Sequence, residues 1–489
     1  MIIVVTAFAG CRESPSPQER TEHEAVQPAP MASQGLPTPP QVIGWLGIGG
    51  GSLPSLNQVS LEDDVRLARR VFGSSGSVFF AGGAGSDGVQ VLDPTRRGAP
   101  LLNALADLFA PRAGRDAHYR KTTLDSVGMA TGPKVFAALD AALASPASEP
   151  LTVFVTAHGD KGKVASDNAV LLWGGYDLRP TDMAAKLARA KSQRQVRLVM
   201  TSCFSGGFAE VIFEQANSAR GPAAGPVRVC GLFAAPWDRE STGCDPNPDR
   251  RAHHGYGLHF LHALQRRDRL GRPLQNADID FDGDGRVSLL EAHTRVRLAS
   301  QTMDLPTTTS ERWLRHVAPK SGPEEDVALA EEDALITRLS QRLGTRDPAP
   351  ELERRRSSVD SLQAALEVAS RAERDAYHDV ASELLRRWPV LDDAWHPDFA
   401  PTLARQGTHI RAWLHRSSAY ARYLKARQDY DSAGVSLDTA RVAMAPWERL
   451  ERALETQRLA RRLKARRDLA WQRYRGLLKC ERGSPPRSR

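Results

Sequence analysis

Residues 196–207, with the sequence VRLVMTSCFSGG, decide the fold prediction because an apolar run ends there in a thiol flanked by small residues. The run 196–200 predicts a short buried strand. The glycines at 206 and 207 predict a turn into a helix that begins near Phe208. Cys203 therefore falls at the end of a strand, a position from which a nucleophile can be presented.

A second stretch, residues 151–160 with the sequence LTVFVTAHGD, repeats this pattern upstream. Its apolar run also predicts a buried strand, which ends in His158 followed by Gly159. Further apolar strands alternate with helices as far as residue 264, and this alternation predicts an α/β fold with a mostly parallel sheet covered on both faces. His158 and Cys203 would then share the carboxyl edge of the sheet, where such sheets bind ligands.

The composition predicts a globular protein of two or three domains, because 489 residues exceed one ordinary core and 41% of them are hydrophobic. The net charge of +8 and the pI near 9.4 permit an anionic partner. However, the basic residues are interspersed with Glu and Asp, and no nucleic-acid-binding module accompanies them. Nucleic acid is therefore not an expected partner.

The N-terminal residues 1–11 form a short apolar run that ends in Cys11. The run is too short to span a bilayer and resembles the end of a bacterial lipoprotein signal, although the basic n-region is missing. We expect lipidation of Cys11, a membrane anchor and a location in the bacterial cell envelope; an ordinary apolar start is the alternative. Residues 12–40, rich in Pro and Ser, predict a flexible linker.

The five cysteines leave an odd number for pairing. If Cys11 is acylated and Cys203 is catalytic, Cys230 and Cys244 can pair in an oxidising compartment, and Cys480 is left over. No Cys/His spacing indicates zinc.

Residues 280–291, with the sequence DFDGDGRVSLLE, match a twelve-residue EF-hand-like loop. The predicted calcium ligands, at positions one, three, five, seven, nine and twelve, are Asp280, Asp282, Asp284, the backbone carbonyl of Arg286, Ser288 and Glu291. The preceding segment does not resemble a helix, so we expect a single structural calcium site; an Asp/Gly-rich turn without metal is the alternative.

The pattern of apolar residues changes beyond residue 322. Apolar stripes at helical spacing predict a helical bundle or antiparallel coiled-coil hairpins over residues 325–480, with helices at 327–343, 362–384, 410–430 and 446–478. We expect these stripes to pack helix against helix, and a protein partner for them is the alternative. Residues 481–489 predict a basic disordered tail.

A catalytic thiol requires a neighbouring imidazole or helix N-terminus to raise its thiolate fraction. Cys203 is predicted to have both, in His158 and in the helix after the glycine turn. Attack on a peptide carbonyl also requires donors for the developing oxyanion, and the backbone N–H groups of Gly159 and Cys203 are the candidates.

The sequence AHG at 157–159, followed by SCFSGG at 202–207 after a second strand, resembles the caspase-like cysteine peptidases, which include caspases, metacaspases, legumain, gingipains and separase. The legumain type is the more similar. The resemblance covers residues 41–309 and implies a caspase-like α/β/α sandwich over a peptidase domain 41–320. It also implies peptide hydrolysis through an acyl-enzyme, with Cys203 as nucleophile, His158 as general base and acid, and no cofactor.

In this family, loops at the strand ends form the pocket for the residue preceding the cleaved bond, and acidic side chains there select Arg or Lys. The candidate substrate-binding residues are Asp160, Asp238 and Glu240, although Arg239 among them could reverse the preference. The leading hypothesis is a cysteine endopeptidase that cleaves after basic residues. The alternative is a catalytically silent, calcium-braced scaffold or interaction protein of the envelope.

Overall fold

A computed structural model describes residues 43–93, 100–109, 117–145, 149–190, 193–223 and 227–486. In chain order, the strands are β1 (Trp45–Gly49), β2 (Gly76–Phe80), β3 (Val89–Leu92), β4 (Ala117–Arg120), β5 (Leu151–Thr156), β6 (Gly159–Asp160), β7 (Ala169–Leu172), β8 (Tyr176–Leu178), β9 (Val196–Met200), β10 (Val229–Phe233) and β11 (Thr307–Thr308). The helices are α1 (Val59–Phe72), α2 (Pro100–Phe109), α3 (Gly132–Ala144), α4 (Pro180–Arg189), α5 (Tyr256–Leu264), α6 (Leu289–Ala299), α7 (Thr309–Val317), α8 (Ala330–Leu343), α9 (Ala349–Arg387), α10 (Phe399–Arg416), α11 (Ser418–Arg466) and α12 (Leu469–Glu481).

The central sheet has six strands in the order β11-β10-β9-β5-β1-β2. All neighbouring strands are parallel except β11, which runs antiparallel to β10. Two antiparallel sheets accompany it, a pair β3-β4 and a three-stranded sheet β6-β7-β8. The predicted mixed α/β architecture with a mostly parallel sheet and a helical C-terminal region is confirmed.

Hydrophobic clusters cover both faces of the sheet because its strands are apolar at successive positions. On one face, residues of β1 such as Leu46 and Ile48 pack with α3 and α4. On the other, Trp45 and Phe154 pack with α1, α5 and α6.

The helical region is dominated by α9 and α11, which have 39 and 49 residues. Their contacts run antiparallel: Arg356 bonds Glu451 near one end of the pair, and Arg422 bonds Asp379 near the other. We call this pair the helical hairpin. The predicted helix start at residue 446 is wrong, since Pro446 lies inside α11. Buried residues on both sides of it, including Ala445 and Leu450, hold the helix together despite the lost hydrogen bond.

A disulfide between Cys230 of β10 and Cys480 of α12 links the helical region to the sheet. The predicted pairing of Cys230 with Cys244, and an unpaired Cys480, are therefore wrong. The two partners are 250 residues apart in sequence, and only the packing of α12 against the sheet brings their Cα atoms within 6.0 Å.

The predicted disordered tail from residue 481 is also wrong at its start. Glu481 is fully buried and accepts hydrogen bonds from Thr309 and Ser310 at the N-terminus of α7. Arg482 forms an ion pair with Glu331. These contacts join residues 481 and 482 to α7 and α8.

None of the helices in the described ranges is long and apolar enough to cross a membrane. The predicted lipidation at Cys11 and the linker 12–40 lie outside the described residues.

Candidate active site

The structure brings the ends of β5 and β9 together. These strands are parallel neighbours, with Val155 opposite Met200, and the hydroxyls of Thr156 and Thr201 lie 3.2 Å apart just beyond them. His158 and Cys203 follow two residues later on each strand. A Cβ atom on Gly159 would lie 2.0 Å from the carbonyl oxygen of Cys203. Only glycine permits this contact between the two strand ends.

His158 is held by a residue that the sequence analysis did not identify. Its Nε2 lies 2.9 Å from Oε1 of Gln58, the N-cap residue of α1, and the amide group of Gln58 is oriented by the carbonyl of Ser55. Since an amide oxygen only accepts, Nε2 carries the proton in the neutral ring and Nδ1 is left as the basic nitrogen. Burial lowers the pKa of His158 to about 4, and a hydrogen bond to Leu56 offsets part of this effect.

Cys203 is only 1% exposed, and its thiol is held by Ser241 in the loop after β10. The N–H of Ser241 donates to Sγ at 3.3 Å, and the thiol donates to the carbonyl of Ser241 at 3.4 Å. Burial raises the pKa of Cys203 to about 12, although the N–H of Ser241 lowers it in part. Among the residues that the structure describes, no hydrogen bond joins Sγ to His158.

The predicted α-helix beginning near Phe208 is wrong. A 3₁₀ helix, Ser205–Ile212, follows Cys203 in place of the α-helix expected near Phe208. The resting pair consists of a protonated thiol and a neutral imidazole, because burial disfavours the charged form of each.

The turn after Cys203 is built from three segments of the chain. Phe204 has a φ of 57°, in the left-handed region that bulky residues rarely adopt. Its N–H donates to the carbonyl of Arg239 at 2.8 Å. The side chain of Asn168 donates to the carbonyls of Phe204 and Trp237 at 2.9 and 2.7 Å. This strained turn is held in place by its partners, as is common at functional sites.

Two backbone N–H groups near the thiol are directed away from the secondary structure. Leu171 donates to the carbonyl of His158, so the next residue, Gly159, occupies a non-hydrogen-bonded position opposite Val170 and its N–H points away from β7. Within the described ranges, the N–H of Cys203 has no hydrogen-bond partner. Neither N–H group of the predicted oxyanion hole is engaged by a residue that the structure describes.

The hydroxyls of Ser202 and Ser205, on either side of Cys203 in sequence, are buried and have no hydrogen-bond partner among the described residues. Buried polar groups without partners are rare in folded proteins and call for an explanation such as a catalytic role or a bound water.

A cavity of about 400 Å³ lies beside this turn, between the loop after β10 and the helical hairpin. Phe204, Asp238 and Glu240 line one side, and Tyr430 and Arg441 line the other. The structure thus brings two of the three predicted substrate-binding carboxylates together. Asp160 does not line this cavity; its carboxylate accepts a hydrogen bond from the N–H of Lys161.

Arg239, the cation that could reverse the predicted preference for Lys or Arg, forms an ion pair. Arg239 lies 2.8 Å from Glu448 of α11. Glu240 lies 3.8 Å from Arg441 of the same helix, whereas Asp238 is exposed and forms no ion pair with a described residue. Asp238 is therefore the carboxylate of this loop that remains open to a cationic ligand.

The predicted calcium loop places its first three acidic side chains together. Oxygen atoms of Asp280, Asp282 and Asp284 lie within 4.8 Å of one another. Oδ1 of Asp280 is buried without a hydrogen-bond partner in the described part of the chain. Gly285, at position six, has a φ of 79°, as the sharp turn requires.

Glu291, at position twelve, is buried and turned into the loop. Its carboxylate accepts hydrogen bonds from the N–H groups of Phe281 and Ser288 at 2.7 and 2.9 Å. Burial raises its pKa. Ser288 is the N-cap of α6, and the segment before the loop is a short 3₁₀ helix.

Neither a scan against protein-family models nor a search of curated proteins finds a match.

Proposed function

We propose that the protein is a cysteine endopeptidase with a caspase-like fold, in which His158 and Cys203 form the catalytic dyad. The observation that carries this proposal is the contact between Gly159 and the backbone of Cys203, which brings a histidine and a buried thiol to adjacent ends of parallel strands. The N–H groups of Gly159 and Cys203, which have no partner among the described residues, support it further.

In the proposed reaction, the thiol leaves its hydrogen bond to Ser241 and transfers its proton to Nδ1 of His158 while Sγ attacks the peptide carbonyl. The N–H groups of Gly159 and Cys203 stabilise the oxyanion. When the intermediate collapses, the carbon–nitrogen bond breaks and His158 gives its proton to the leaving amine. Water then hydrolyses the thioester with His158 as base.

We propose a preference for Lys or Arg before the cleaved bond. The exposed carboxylate of Asp238 supports this preference, because the neighbouring Arg239 is already paired with Glu448. Both Asp238 and Glu240 line the cavity, and Glu240 is partly paired with Arg441, so Asp238 is the carboxylate we propose for a substrate cation.

We also propose a structural calcium site in the loop 280–291. Hard carboxylate oxygens are the ligands that Ca²⁺ prefers, and the unpartnered Oδ1 of Asp280 fits a cation. Asp280, Asp282, Asp284, Ser288, Glu291 and the carbonyl of Arg286 would hold it. The ion would brace the loop that leads into α6.

The burial of Cys203 favours a second candidate function, that of a catalytically silent scaffold. A thiol that is 1% exposed with a pKa near 12 is a poor nucleophile in its resting state. The two functions differ in whether a substrate-like molecule can reach Sγ.

Labelling with a peptidyl electrophile that carries Lys or Arg tests the enzyme hypothesis. Purified protein without reductant is reacted near pH 7, and the modified residue is located by mass spectrometry. We expect Cys203 to be labelled and His158→Ala to slow the reaction, while the control His409→Ala, on an exposed face of α10, leaves it unchanged. Equal labelling rates for the wild type and His158→Ala would support the scaffold.

A further inference from the structure

Arg449 of the helical hairpin is fully buried, yet it forms no ion pair with a described residue. Its guanidinium donates instead to three carbonyl groups between α6 and β11: that of Ser300 at 2.8 Å, that of Thr302 at 2.7 Å and that of Asp304 at 2.7 and 2.9 Å. Buried charges are costly without partners. Here one planar side chain satisfies three carbonyls and fixes the path of segment 300–304.

Segment 300–304 in turn holds the loop that contacts the thiol. The carboxylate of Asp304 is 1% exposed and accepts hydrogen bonds from both the N–H and the hydroxyl of Thr242, at 2.8 and 3.0 Å. Thr242 directly follows Ser241, whose hydroxyl donates to the carbonyl of Thr201 at 2.8 Å and whose N–H donates to Sγ of Cys203.

We propose that Arg449 and Asp304 are positioning residues that hold Ser241 against Cys203, which makes the helical hairpin a necessary part of the active site. This inference rests on the proposed peptidase function. Arg449 contacts neither the thiol nor the imidazole, so its effect passes through Asp304 and Thr242.

If Arg449 only stabilised the fold, its replacement would change the melting temperature and the kinetic constants in a different way. The loss of a buried structural contact lowers the melting temperature, but it leaves kcat unchanged in the molecules that remain folded. The loss of a positioning contact lowers kcat while KM for the peptide stays similar, because Sγ and its oxyanion donors are displaced relative to each other.

The experiment compares four full-length variants with the wild type: Arg449→Lys, Arg449→Met, Thr242→Val and Arg452→Met. Arg452 is the matched control, since it lies one turn further along α11 and bonds Glu311 and Thr307 rather than segment 300–304. Kinetics on a Lys- or Arg-containing peptide and the alkylation rate of Cys203 are measured below the melting temperature of each variant.

We expect Arg449→Met and Thr242→Val to lower kcat about 10- to 100-fold with KM changed less than about threefold. Arg449→Lys should recover part of the loss, because a lysine keeps the charge and reaches some of the carbonyls. Arg452→Met should remain within about twofold of the wild type. If Arg449→Met does not fold, Thr242→Val alone tests the positioning role. It removes only one hydroxyl from the hydrogen bonds that link Arg449, Asp304, Thr242 and Ser241.

An unchanged kcat in both Thr242→Val and any folded Arg449→Met would overturn the inference while leaving the peptidase hypothesis intact. A His158→Ala arm separates the two: if it hydrolyses the peptide and alkylates at the wild-type rate, the peptidase function itself is wrong and the positioning role falls with it.

Discussion

Gln58 provides a sharp test of the arrangement at the sheet edge, because its side chain is the hydrogen-bonding partner of Nε2 of His158. Gln58→Leu keeps the approximate volume and removes the acceptor. During the reaction His158 becomes positively charged, and a hydrogen bond to a charged group contributes about 1.5–3 kcal/mol. Its loss should therefore lower kcat about 10- to 150-fold, with a smaller effect on KM.

Gln58→Glu is the matched variant, since it keeps an oxygen acceptor at the same place. A carboxylate beside the imidazole raises the pKa of His158 from its low resting value of about 4. The imidazole must be unprotonated to accept the thiol proton, so the acidic limb of the rate profile should move to higher pH. At pH 8 the rate of Gln58→Glu should exceed that of Gln58→Leu.

The assay is hydrolysis of a Lys- or Arg-containing peptide between pH 5 and pH 9, with the alkylation rate of Cys203 measured in parallel. A Gln58→Leu rate within about twofold of the wild type would refute the reasoning. It would mean that His158 does not depend on Gln58 for its orientation, or that it takes no part in the reaction.

Three further predictions concern stability and metal binding. Gly159→Ala places a methyl group 2.0 Å from the carbonyl oxygen of Cys203, so its melting temperature should fall well below that of the wild type. The control is Gly407→Ala in α10, where the added methyl group makes only an ordinary contact with Leu101. This variant should melt at or above the wild-type temperature. Calcium should raise the melting temperature and a chelator should lower it, and Asp280→Ala combined with Glu291→Gln should abolish the difference; a wild type indifferent to chelator would rule out the site. Burial raises the pKa of Glu481 from 4.5 to about 7, so the folded protein binds more protons than the unfolded chain in this window and the free energy of unfolding should fall as the pH rises through it. Denaturant titrations should show a smaller fall in Glu481→Gln, and an equal fall in both proteins would contradict the assignment.

The parts of the fold that can be predicted from the sequence are those determined by residues close together in the chain. The strands that lead to His158 and Cys203 and the helix α5 each follow from a few consecutive residues. The shared sheet edge also follows, because alternating strands and helices restrict the sheet to a mostly parallel arrangement.

The remaining features depend on contacts between distant segments. Gln58 is 100 residues from His158, and nothing in its neighbourhood marks it as a partner. Cys480 pairs with Cys230 only because α12 packs beside β10. Pro446 is typical of a helix start, but buried residues on both sides of it pack well enough for α11 to continue through the proline.

The environment of the thiol also depends on distant segments. Two strand ends and a glycine turn indicate a reactive cysteine, but its pKa depends on how completely the surrounding loops exclude water. The loop with Ser241 and the segments behind it bury Cys203, and this burial is set by residues far along the chain.

The proposed function is the hydrolysis of peptide bonds by Cys203 and His158. The most direct measurement is the mass-spectrometric analysis of a peptide library incubated with the wild type, Cys203→Ala, His158→Ala and the control His409→Ala. We expect cleavage after Lys or Arg by the wild type and His409→Ala, and none by the two dyad variants. Cleavage that persists in Cys203→Ala, or a wild type that cleaves no peptide, would contradict it.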